Sequence, residues 1–185
     1  MNQRADARRN RGTLLLAAEK VFAEHSPQAP LQLVAEAAGV GRGTLYRHFP
    51  DREALVMAIY ERRLERYEAY GRAHLGDADV IRGMLRLVAV DQMAIPGLFR
   101  IISGAVGDSP PVTALWERTV AAFRGPLEAA KAAGAIRPDV DLIDLFLTIS
   151  MLYGVANSPG TFPHDAEVVE RALAILDRGI GGTGG

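Results

Sequence analysis

The 185-residue sequence predicts an all-α fold of about nine helices, divided into an N-terminal helical unit and a larger C-terminal one. Alanine and leucine dominate the composition, aromatic residues make up only 6%, and no convincing run of alternating β-branched residues occurs. Apolar residues recur instead at helical spacing, and clusters of Gly and Pro separate the periodic segments. With 49% hydrophobic residues, the chain can bury a core as one or two domains.

The composition also argues against several classes of protein. The chain contains no Cys, which excludes disulfides, thiolate zinc sites and cysteine nucleophiles. It has no run of about 18 apolar residues and its N-terminus is too polar for a signal peptide, so we expect a cytoplasmic protein without a membrane partner. No metalloprotease or nucleophile-elbow pattern accompanies the four histidines. An all-helical enzyme is therefore a weak alternative, and we expect neither a metal nor a cofactor.

The first helix is expected from about Asn10 to Glu24. Residues 1–9 precede it and are expected to form a flexible basic arm, rich in arginine and solvated. The apolar stripe of the first helix, with residues three and four apart on one face, consists of Leu14, Leu15, Ala18, Val21 and Phe22.

The most informative segment is residues 33–49, LVAEAAGVGRGTLYRHF, which reads as two short helices around a tight turn. Gly39 suits the left-handed residue that ends a helix. Leu45 and Phe49 are four residues apart, so both face inward in the second helix. The polar side chains between them are left to point outward, where guanidinium, hydroxyl and imidazole groups can bind phosphates and base edges. This pattern is typical of a helix-turn-helix that enters the DNA major groove, although an ordinary helical hairpin shares the spacing.

Charge is distributed unevenly along the chain. The formal net charge is −1, but the first fifty residues carry 7 Lys and Arg against 4 Asp and Glu, whereas the rest carries 14 against 18. The positive excess therefore lies where a nucleic acid would bind, as attraction to phosphates requires. A phosphate or minor-groove role for the arm, through Arg4, Arg8, Arg9 and Arg11, is the alternative to plain solvation.

Six further helices are expected after the turn. Asp51 and Ser109 are predicted N-caps, Gly134 is a predicted C-terminal stop, and Pro126 should kink or break its helix. Within the first of these helices, the charged run at residues 61–66 is expected to be a solvated face. Residues 75–78 form the domain boundary, and the glycine-rich tail at 179–185 is expected to be flexible. The expected helix bounds are about 51–73, 79–94, 98–105, 110–133, 141–156 and 164–178.

Three stretches together resemble the TetR family of bacterial transcriptional repressors. They are the amphipathic GTLLLAAEKVFAEHS (12–26), the run LVAEAAGVGRGTLYRHFPDREALVMAIY (33–60), and AGAIRPDVD (133–141), which looks like the turn between the family's last long core helices. The second run contains A-G-V-x-x-G-T-L-Y-x-H-F-x-x-[KR]-x-A-L, a pattern highly specific to that family. The strong match covers about residues 10–68.

The resemblance implies an N-terminal three-helix helix-turn-helix DNA-binding domain at residues 10–74, with the motif at about 32–49. It also implies a helical ligand-binding and dimerisation domain at residues 75–178. The implied function is sequence-specific transcriptional regulation, with repression more typical than activation. The implied partners are a palindromic double-stranded DNA operator, a second copy of the chain in a homodimer, and an unknown small-molecule effector. A ligand-binding dimer that has lost DNA binding is the other alternative, and the intact set of donors argues against it.

The family's DNA contacts carry over to eight positions. Side chains of the second motif helix look like phosphate, sugar or base contacts, and Arg52 matches a basic residue that grips a phosphate. Two positions depart from the family: Pro30 replaces a common Thr, which puts one hydroxyl contact in doubt, and Gly41 replaces a common Ser. The expected DNA-binding residues are Gln32, Arg42, Gly43, Thr44, Tyr46, Arg47, His48 and Arg52.

The C-terminal expectations are a ligand pocket and a dimer face. Asp91 interrupts an apolar helix, and a buried carboxylate is costly unless paired, so it should pair with Arg86 or Arg100 or face solvent. If it faces the cavity, it favours a ligand with a cation or hydroxyl. The expected pocket residues are Tyr67, Met84, Val88, Asp91, Gln92, Phe99, Trp116, Val120, Phe123 and Tyr153. The eighth helix is apolar nearly all round, as expected of a helix buried on both sides. The expected dimer residues are Leu142, Leu145, Phe146, Ile149, Val169, Leu173 and Leu176.

Overall fold

The computed structural model describes residues 3–157 and 166–180. The all-α prediction is confirmed, because this part of the chain contains nine helices and no strand. The helices are α1 (Gln3–Glu24), α2 (Leu31–Ala37), α3 (Arg42–His48), α4 (Arg52–Ala73), α5 (Val80–Ala94), α6 (Leu98–Gly104), α7 (Pro110–Ala132), α8 (Leu142–Ala156) and α9 (Ala166–Ile180).

The expected start of α1 at Asn10 is wrong. The helix begins at Gln3, so residues 3–9 extend α1 instead of forming a separate arm. The stretch contains no Gly or Pro, and its Ala, Arg and Gln residues favour helix, so nothing local ends the helix before residue 3. Residues 1 and 2 of the expected arm, and residues 181–185 of the expected flexible tail, lie outside the described part; residues 179 and 180 belong to α9.

Two left-handed glycines end helices as expected. Gly39, at φ 66°, follows α2, and Gly134, at φ 72°, follows α7. After α2, the Val40 amide donates to the Ala35 carbonyl at 3.0 Å and the Gly39 amide donates to the Glu36 carbonyl at 3.0 Å. This pair of bonds is a Schellman motif, and it turns the chain tightly from α2 into α3.

The helix α4 belongs to both halves of the molecule, since it packs against α1 on one side and against α5 and α7 on the other. Its N-cap is Asp51, as expected, and the Asp51 carboxylate accepts a hydrogen bond from the Ala54 amide at 2.8 Å. The helix α4 therefore connects the N-terminal unit to the C-terminal helices.

Of the expected kink or break in α7, the break is wrong, because the helix runs through Pro126 without interruption. Pro126 is buried where α4 crosses α7, and a methyl group at Gly71 would lie only 3.1 Å from the Pro126 ring. This close packing holds the proline within the helix. Ser109 is the N-cap residue of α7 as expected, but its hydroxyl makes no capping bond to the helix backbone.

The last two helices complete the C-terminal core. A capping box starts α8: the Asp141 carboxylate accepts from the Ile143 and Asp144 amides at 2.7 and 3.0 Å, and the Asp144 carboxylate accepts from the Asp141 amide at 2.9 Å. The helix α8 packs against α5, α7 and α9. The expected start of α9 at residue 164 lies outside the described residues.

Candidate nucleic-acid interface and ligand cavity

The helix α3 presents one face to the core and the other to solvent. Leu45 and Phe49 are 0% and 1% exposed, as the spacing predicts, and both belong to the hydrophobic core. Tyr46, in contrast, is 42% exposed. Of the expected DNA-binding residues in this helix, Arg42, Gly43, Tyr46 and Arg47 are exposed, and Thr44 and His48 are half-buried.

Hydrogen bonds order several side chains on this face. Arg47 Nη2 donates to Thr44 Oγ1 at 3.0 Å, which places the guanidinium beside a hydroxyl on the same surface. Gln32 Nε2 donates to Glu36 Oε1 at 2.8 Å along α2. A cationic and amide-bearing surface of this kind can bind phosphate oxygens and base edges.

The entry into α4 is also organised by a positively charged side chain. Arg52 donates from Nη1 to the Pro27 carbonyl, so the start of α4 is tied to the loop before α2. Pro30 is the N-cap residue of α2 and makes no side-chain capping bond.

Arg11, which the sequence suggested as a basic contact, has a structural partner. Its guanidinium carbon lies 5.2 Å from the centroid of the Phe49 ring, a cation–π arrangement between α1 and the end of α3. The charge of Arg11 therefore lies next to α3, in the region where the positive excess is concentrated.

A small cavity lies among α4, α5, α6, α7 and α8. It offers about 20 Å³ for the centre of a water-sized molecule, which is room for one or two waters. Aromatic and aliphatic side chains form most of its wall, and a small set of polar groups interrupts them. The lining residues are Tyr60, Arg63, Tyr67, Val88, Asp91, Gln92, Leu98, Phe99, Thr119, Phe123, Phe146 and Ile149.

Part of the expected pocket is assembled at this cavity. The expected residues that line it are Tyr67, Val88, Asp91, Gln92, Phe99 and Phe123. Met84 is fully buried next to Gly71, and Tyr153 packs its ring 5.8 Å from Phe99. Trp116 and Val120 face a different, outer groove. The lining residues that the sequence did not suggest are Tyr60, Arg63, Leu98, Thr119, Phe146 and Ile149.

Asp91 is buried, and its carboxylate is fully engaged by α4. Tyr67 donates its hydroxyl to Asp91 Oδ2 at 2.7 Å, and Arg66 Nη1 lies 3.0 Å from Asp91 Oδ1. The expected pairing of Asp91 with Arg86 or Arg100 is therefore wrong, and Arg86 instead binds Glu170 of α9 at 2.6 Å. Burial, followed by the charge of Asp91, raises the pKa of Tyr67 well above its usual value, so the phenol stays protonated and donates.

Arg63 is the buried cation of the cavity. It is 7% exposed, although the charged run around it suggested a solvated face, and that expectation is wrong for this residue. Its Nη1 donates to the main-chain carbonyl of Asp91 at 2.7 Å. Among residues 3–157 and 166–180, no carboxylate forms an ion pair with Arg63.

Gln92 and Thr119 supply the neutral polar groups. Gln92 Nε2 donates to the Ile149 carbonyl at 3.3 Å, whereas the buried Gln92 Oε1 has no hydrogen-bond partner in the described structure. Thr119 Oγ1 and the Tyr60 hydroxyl lie 3.3 Å apart, and Thr119 also donates to the Leu115 carbonyl. The Gln92 amide oxygen is thus a buried acceptor without a donor among the described residues.

An aromatic wall separates the cavity from an outer groove. The groove is open and offers about 490 Å³, with Trp116, Val120 and Leu142 in its lining, and it shares Phe99 and Phe146 with the cavity. The Trp116 and Phe146 rings lie 4.8 Å apart, and the Phe99 and Trp116 rings 6.4 Å apart. Movement of these rings would join the cavity to solvent.

Three exposed apolar side chains of the C-terminal half form a stripe along α8. Ile143, Leu147 and Met151 are 68%, 51% and 57% exposed and four residues apart, and Ile175 of α9 is 58% exposed. The stripe differs from the expected dimer residues: Leu145, Ile149, Val169 and Leu173 are buried in the subunit's own core, and Leu142, Phe146 and Leu176 are half-buried. A partner subunit can contact only side chains that reach the surface.

Two absences bear on the remaining expectations. Within the described ranges, no cluster of three or more His, Asp or Glu side chains could hold a metal ion. None of the helices in the part of the chain that the structure describes is both long and apolar enough to span a membrane.

Comparison with known proteins gives a consistent result. Residues 14–59 match the profile of the family described as bacterial regulatory proteins, tetR family. The crystal structure of the TetR transcriptional regulator SCO0520 from Streptomyces coelicolor is 31% identical, with a TM-score of 0.67, over 94% of this chain and 99% of that one. The TetR-like transcriptional regulator LfrR from Mycobacterium smegmatis, in complex with proflavine, shares the fold at 24% identity and a TM-score of 0.65, over 94% of this chain and 97% of that one.

Among curated sequences, the similarity covers about a quarter to a third of this chain. The HTH-type transcriptional repressor LfrR from Mycolicibacterium smegmatis is 47% identical over 51 residues, which is 28% of this chain and 26% of that protein. An HTH-type transcriptional regulator from Staphylococcus aureus is 36% identical over 63 residues, 34% of each chain. The matches thus span about a quarter to a third of these curated relatives.

Proposed function

This chain belongs to the TetR family of bacterial transcriptional regulators, and we propose that it is a repressor released from a palindromic operator by a small molecule. The observation that carries the proposal is the solvent-facing side of α3, where Arg42, Tyr46 and Arg47 are exposed and Leu45 anchors the helix from behind. The side chains that would bind DNA are thus exposed to solvent, and the helix that carries them is held by a buried residue. The intact surface argues against a ligand-binding dimer without DNA affinity.

The DNA contacts divide into two roles. Tyr46, Thr44 and His48 would bind phosphate or sugar oxygens, with Arg42 and Arg47 reaching base edges. Arg52 would bind a phosphate at the start of α4, and its bond to the Pro27 carbonyl holds the guanidinium in place. A regulator that binds bacterial DNA would work in the cytoplasm. We propose no catalytic role for it.

A homodimer gives the DNA contacts their spacing. The apolar stripe of α8, Ile143, Leu147 and Met151, together with Ile175 of α9, would pack against the same surface of a second copy about a two-fold axis. Two copies of α3 must then lie about 34–36 Å apart to enter successive major-groove faces. This requirement makes operator binding sensitive to small changes in the relative position of the two N-terminal units.

The cavity would allow a small molecule to control operator binding. It lies against α4, the helix that also holds the N-terminal unit, so an effector that enlarges the cavity would displace α4 and change the spacing of the α3 helices. A tenfold loss of operator affinity needs about 1.4 kcal/mol of differential binding. The complex of LfrR, a protein of the same fold, with proflavine supports a small-molecule ligand for this chain.

The test begins with selection of operator duplexes from a randomised DNA pool, followed by anisotropy titrations at fixed salt. Tyr46→Ala and Arg52→Ala should each weaken binding at least tenfold and leave the dimer intact in gel filtration. Arg100→Ala, which removes an exposed arginine from α6, is the matched control and should bind as the original protein does. Failure to select any duplex, or unchanged affinity in both variants, would overturn the proposed function.

A further inference from the structure

The cavity carries one positive charge that the protein itself leaves without an opposite charge. Arg63 is buried and uses Nη1 to donate to the Asp91 carbonyl, which is a neutral acceptor. The nearby Asp91 carboxylate is already occupied by Arg66 and Tyr67. A buried charge is costly unless a counter-charge or several hydrogen bonds compensate it, so this site favours an anion.

The geometry of the guanidinium also suits an anion with two oxygens. Nη1 is the only Arg63 nitrogen with a hydrogen-bond partner in the described part of the chain, which leaves Nε and Nη2 on the adjacent edge. That edge presents two parallel N–H groups, the arrangement that binds both oxygens of a carboxylate.

A second polar group of the cavity is an acceptor that lacks a hydrogen-bond donor. Gln92 Oε1 is buried, lines the cavity and has no donor among the described residues. Because Gln92 Nε2 is held by the Ile149 carbonyl, the amide is fixed with its oxygen as the free atom. The oxygen can accept from a hydroxyl or an N–H group of a bound molecule.

The remaining wall is apolar and largely aromatic. It is formed by Val88, Leu98, Phe99, Phe123, Phe146 and Ile149. The lining therefore matches a molecule with a flat apolar body and polar groups at its edges.

We propose that the effector is an aromatic organic acid, whose carboxylate binds the Arg63 guanidinium and whose hydroxyl or N–H group donates to Gln92 Oε1. The proposal rests on the proposed function, in which this cavity is the effector site. A cationic effector would meet Arg63 without a free carboxylate to balance its charge. The cavity, at about 20 Å³, is too small to hold such an acid. Phe99 and Phe146 must therefore move toward the outer groove when the acid binds.

The test compares small molecules that share one aromatic ring system and differ either in the charge of one substituent or in the presence of the hydroxyl donor. Four suit the purpose: 4-hydroxybenzoate, the neutral 4-hydroxybenzamide, the cationic 4-hydroxybenzylamine, and benzoate, which lacks the hydroxyl. The same set built on biphenyl tests a longer body. Binding to the full-length protein is measured at pH 7 by calorimetry and by the fluorescence of Trp116, the single tryptophan of the chain, whose ring lies 4.8 Å from Phe146.

In at least one of the two series, the hydroxy acid should bind at least tenfold more tightly than the amide and the amine. It should also bind more tightly than the acid without a hydroxyl. Arg63→Gln should abolish the preference for acid over amide, and Arg63→Lys should keep part of it because the charge remains. Gln92→Leu should remove the preference for the hydroxyl and leave the preference for the acid. Arg100→Gln is the control, since it removes an exposed positive charge and leaves Arg63 in place.

Three results would overturn the proposal: no binding by any acid of either series, an amine that binds as tightly as the acid, or an acid preference that survives Arg63→Gln in a variant with unchanged helicity. Failure of the proposed function is distinguished by a separate titration with operator DNA. An acid that binds in an Arg63-dependent manner without changing operator affinity supports the ligand class and contradicts the regulatory role.

Discussion

The hydroxyl of Ser109 donates a hydrogen bond to the carboxylate of Glu53, with 2.7 Å between Ser109 Oγ and Glu53 Oε1. Ser109 lies in the connection between α6 and α7, and Glu53 lies in the first turn of α4, next to Arg52. Because α6 also carries the cavity residue Phe99, this bond joins a segment that adjoins the cavity to the end of α4 nearest α3.

Ser109→Ala should weaken the communication between the cavity and operator DNA. A hydrogen bond of this kind contributes about 0.5–1.5 kcal/mol, so the free energy of unfolding should fall by no more than that. The ratio of operator Kd values with and without a saturating effector should move toward one. Ser109→Thr keeps the hydroxyl and should keep the ratio. An unchanged ratio in the alanine variant would show that this contact does not transmit the effector signal.

Tyr67→Phe should destabilise the protein by about 1–3 kcal/mol, the cost of leaving a buried polar group without its donor. The substitution removes the hydroxyl that donates to Asp91 Oδ2 and leaves only Arg66 to compensate the carboxylate. Urea denaturation followed by circular dichroism measures the change. Tyr153→Phe is the control, because the Tyr153 hydroxyl has no hydrogen bond to the described residues. Equal stability of both variants would contradict the role of this bond.

Leu147→Glu should convert the dimer into a monomer, since it places a charge in the middle of the apolar stripe of α8. Sedimentation velocity at several concentrations measures the oligomeric state. Leu16→Glu makes the same chemical change at a leucine of α1 that is 56% exposed, against 51% for Leu147, and should leave the dimer unaffected. Dissociation by Leu16→Glu, or a dimer that persists in Leu147→Glu, would move the interface away from α8.

Acidification should remove the contribution of the Glu68–Arg118 pair to stability. The hydrogen bonds from Arg118, at 2.7 and 2.8 Å, lower the pKa of Glu68 below its usual value of 4.5, and partial burial offsets some of that shift. A lowered folded-state pKa means that the stabilisation is present above pH 4.5 and is lost as the pH falls through the folded pKa. Glu68→Gln should therefore cost about 0.5–1 kcal/mol at pH 7 and nothing at strongly acidic pH.

Thermal unfolding across a series of buffers from pH 7 to strongly acid gives the comparison for this pair. Glu117 is an exposed carboxylate of α7 that forms no ion pair with the described residues, so the stability change caused by Glu117→Gln should not depend on pH in this way. A Glu68→Gln deficit that stays constant down to the lowest pH would mean that the ion pair is not the source of the effect.

The sequence predicts the local geometry of the N-terminal unit well, because its signals act within a few residues. Gly39 ends α2, Asp51 caps α4, and Leu45 with Phe49 faces the core, each as the residue type and spacing require. These features depend on backbone conformation and on i, i+4 periodicity, both of which are visible in a single sequence.

The cavity and the apolar stripe are harder to predict, because they depend on contacts between distant segments. Arg63 lies in a run of charged residues that resembles a solvated face, and the packing of other helices against α4 buries it. Asp91 pairs with Arg66, 25 residues away, and no local pattern connects the two. The helix α8 is apolar nearly all round, so its sequence has no polar side that would show whether Leu145 or Leu147 faces outward.

Asp91 binds three side chains within about one turn of α4, through its main-chain carbonyl to Arg63 and through its carboxylate to Arg66 and Tyr67. Sliding of α4 along its own axis would break these bonds together, whereas tilting about this point preserves them. From Arg63 to Arg52 the helix extends roughly 16 Å, so a tilt of about 10° would swing Arg52 by about 3 Å. Asp91 is therefore the pivot about which α4 can rotate. A small rotation at the cavity would displace Arg52 by a distance comparable to the length of a hydrogen bond to DNA.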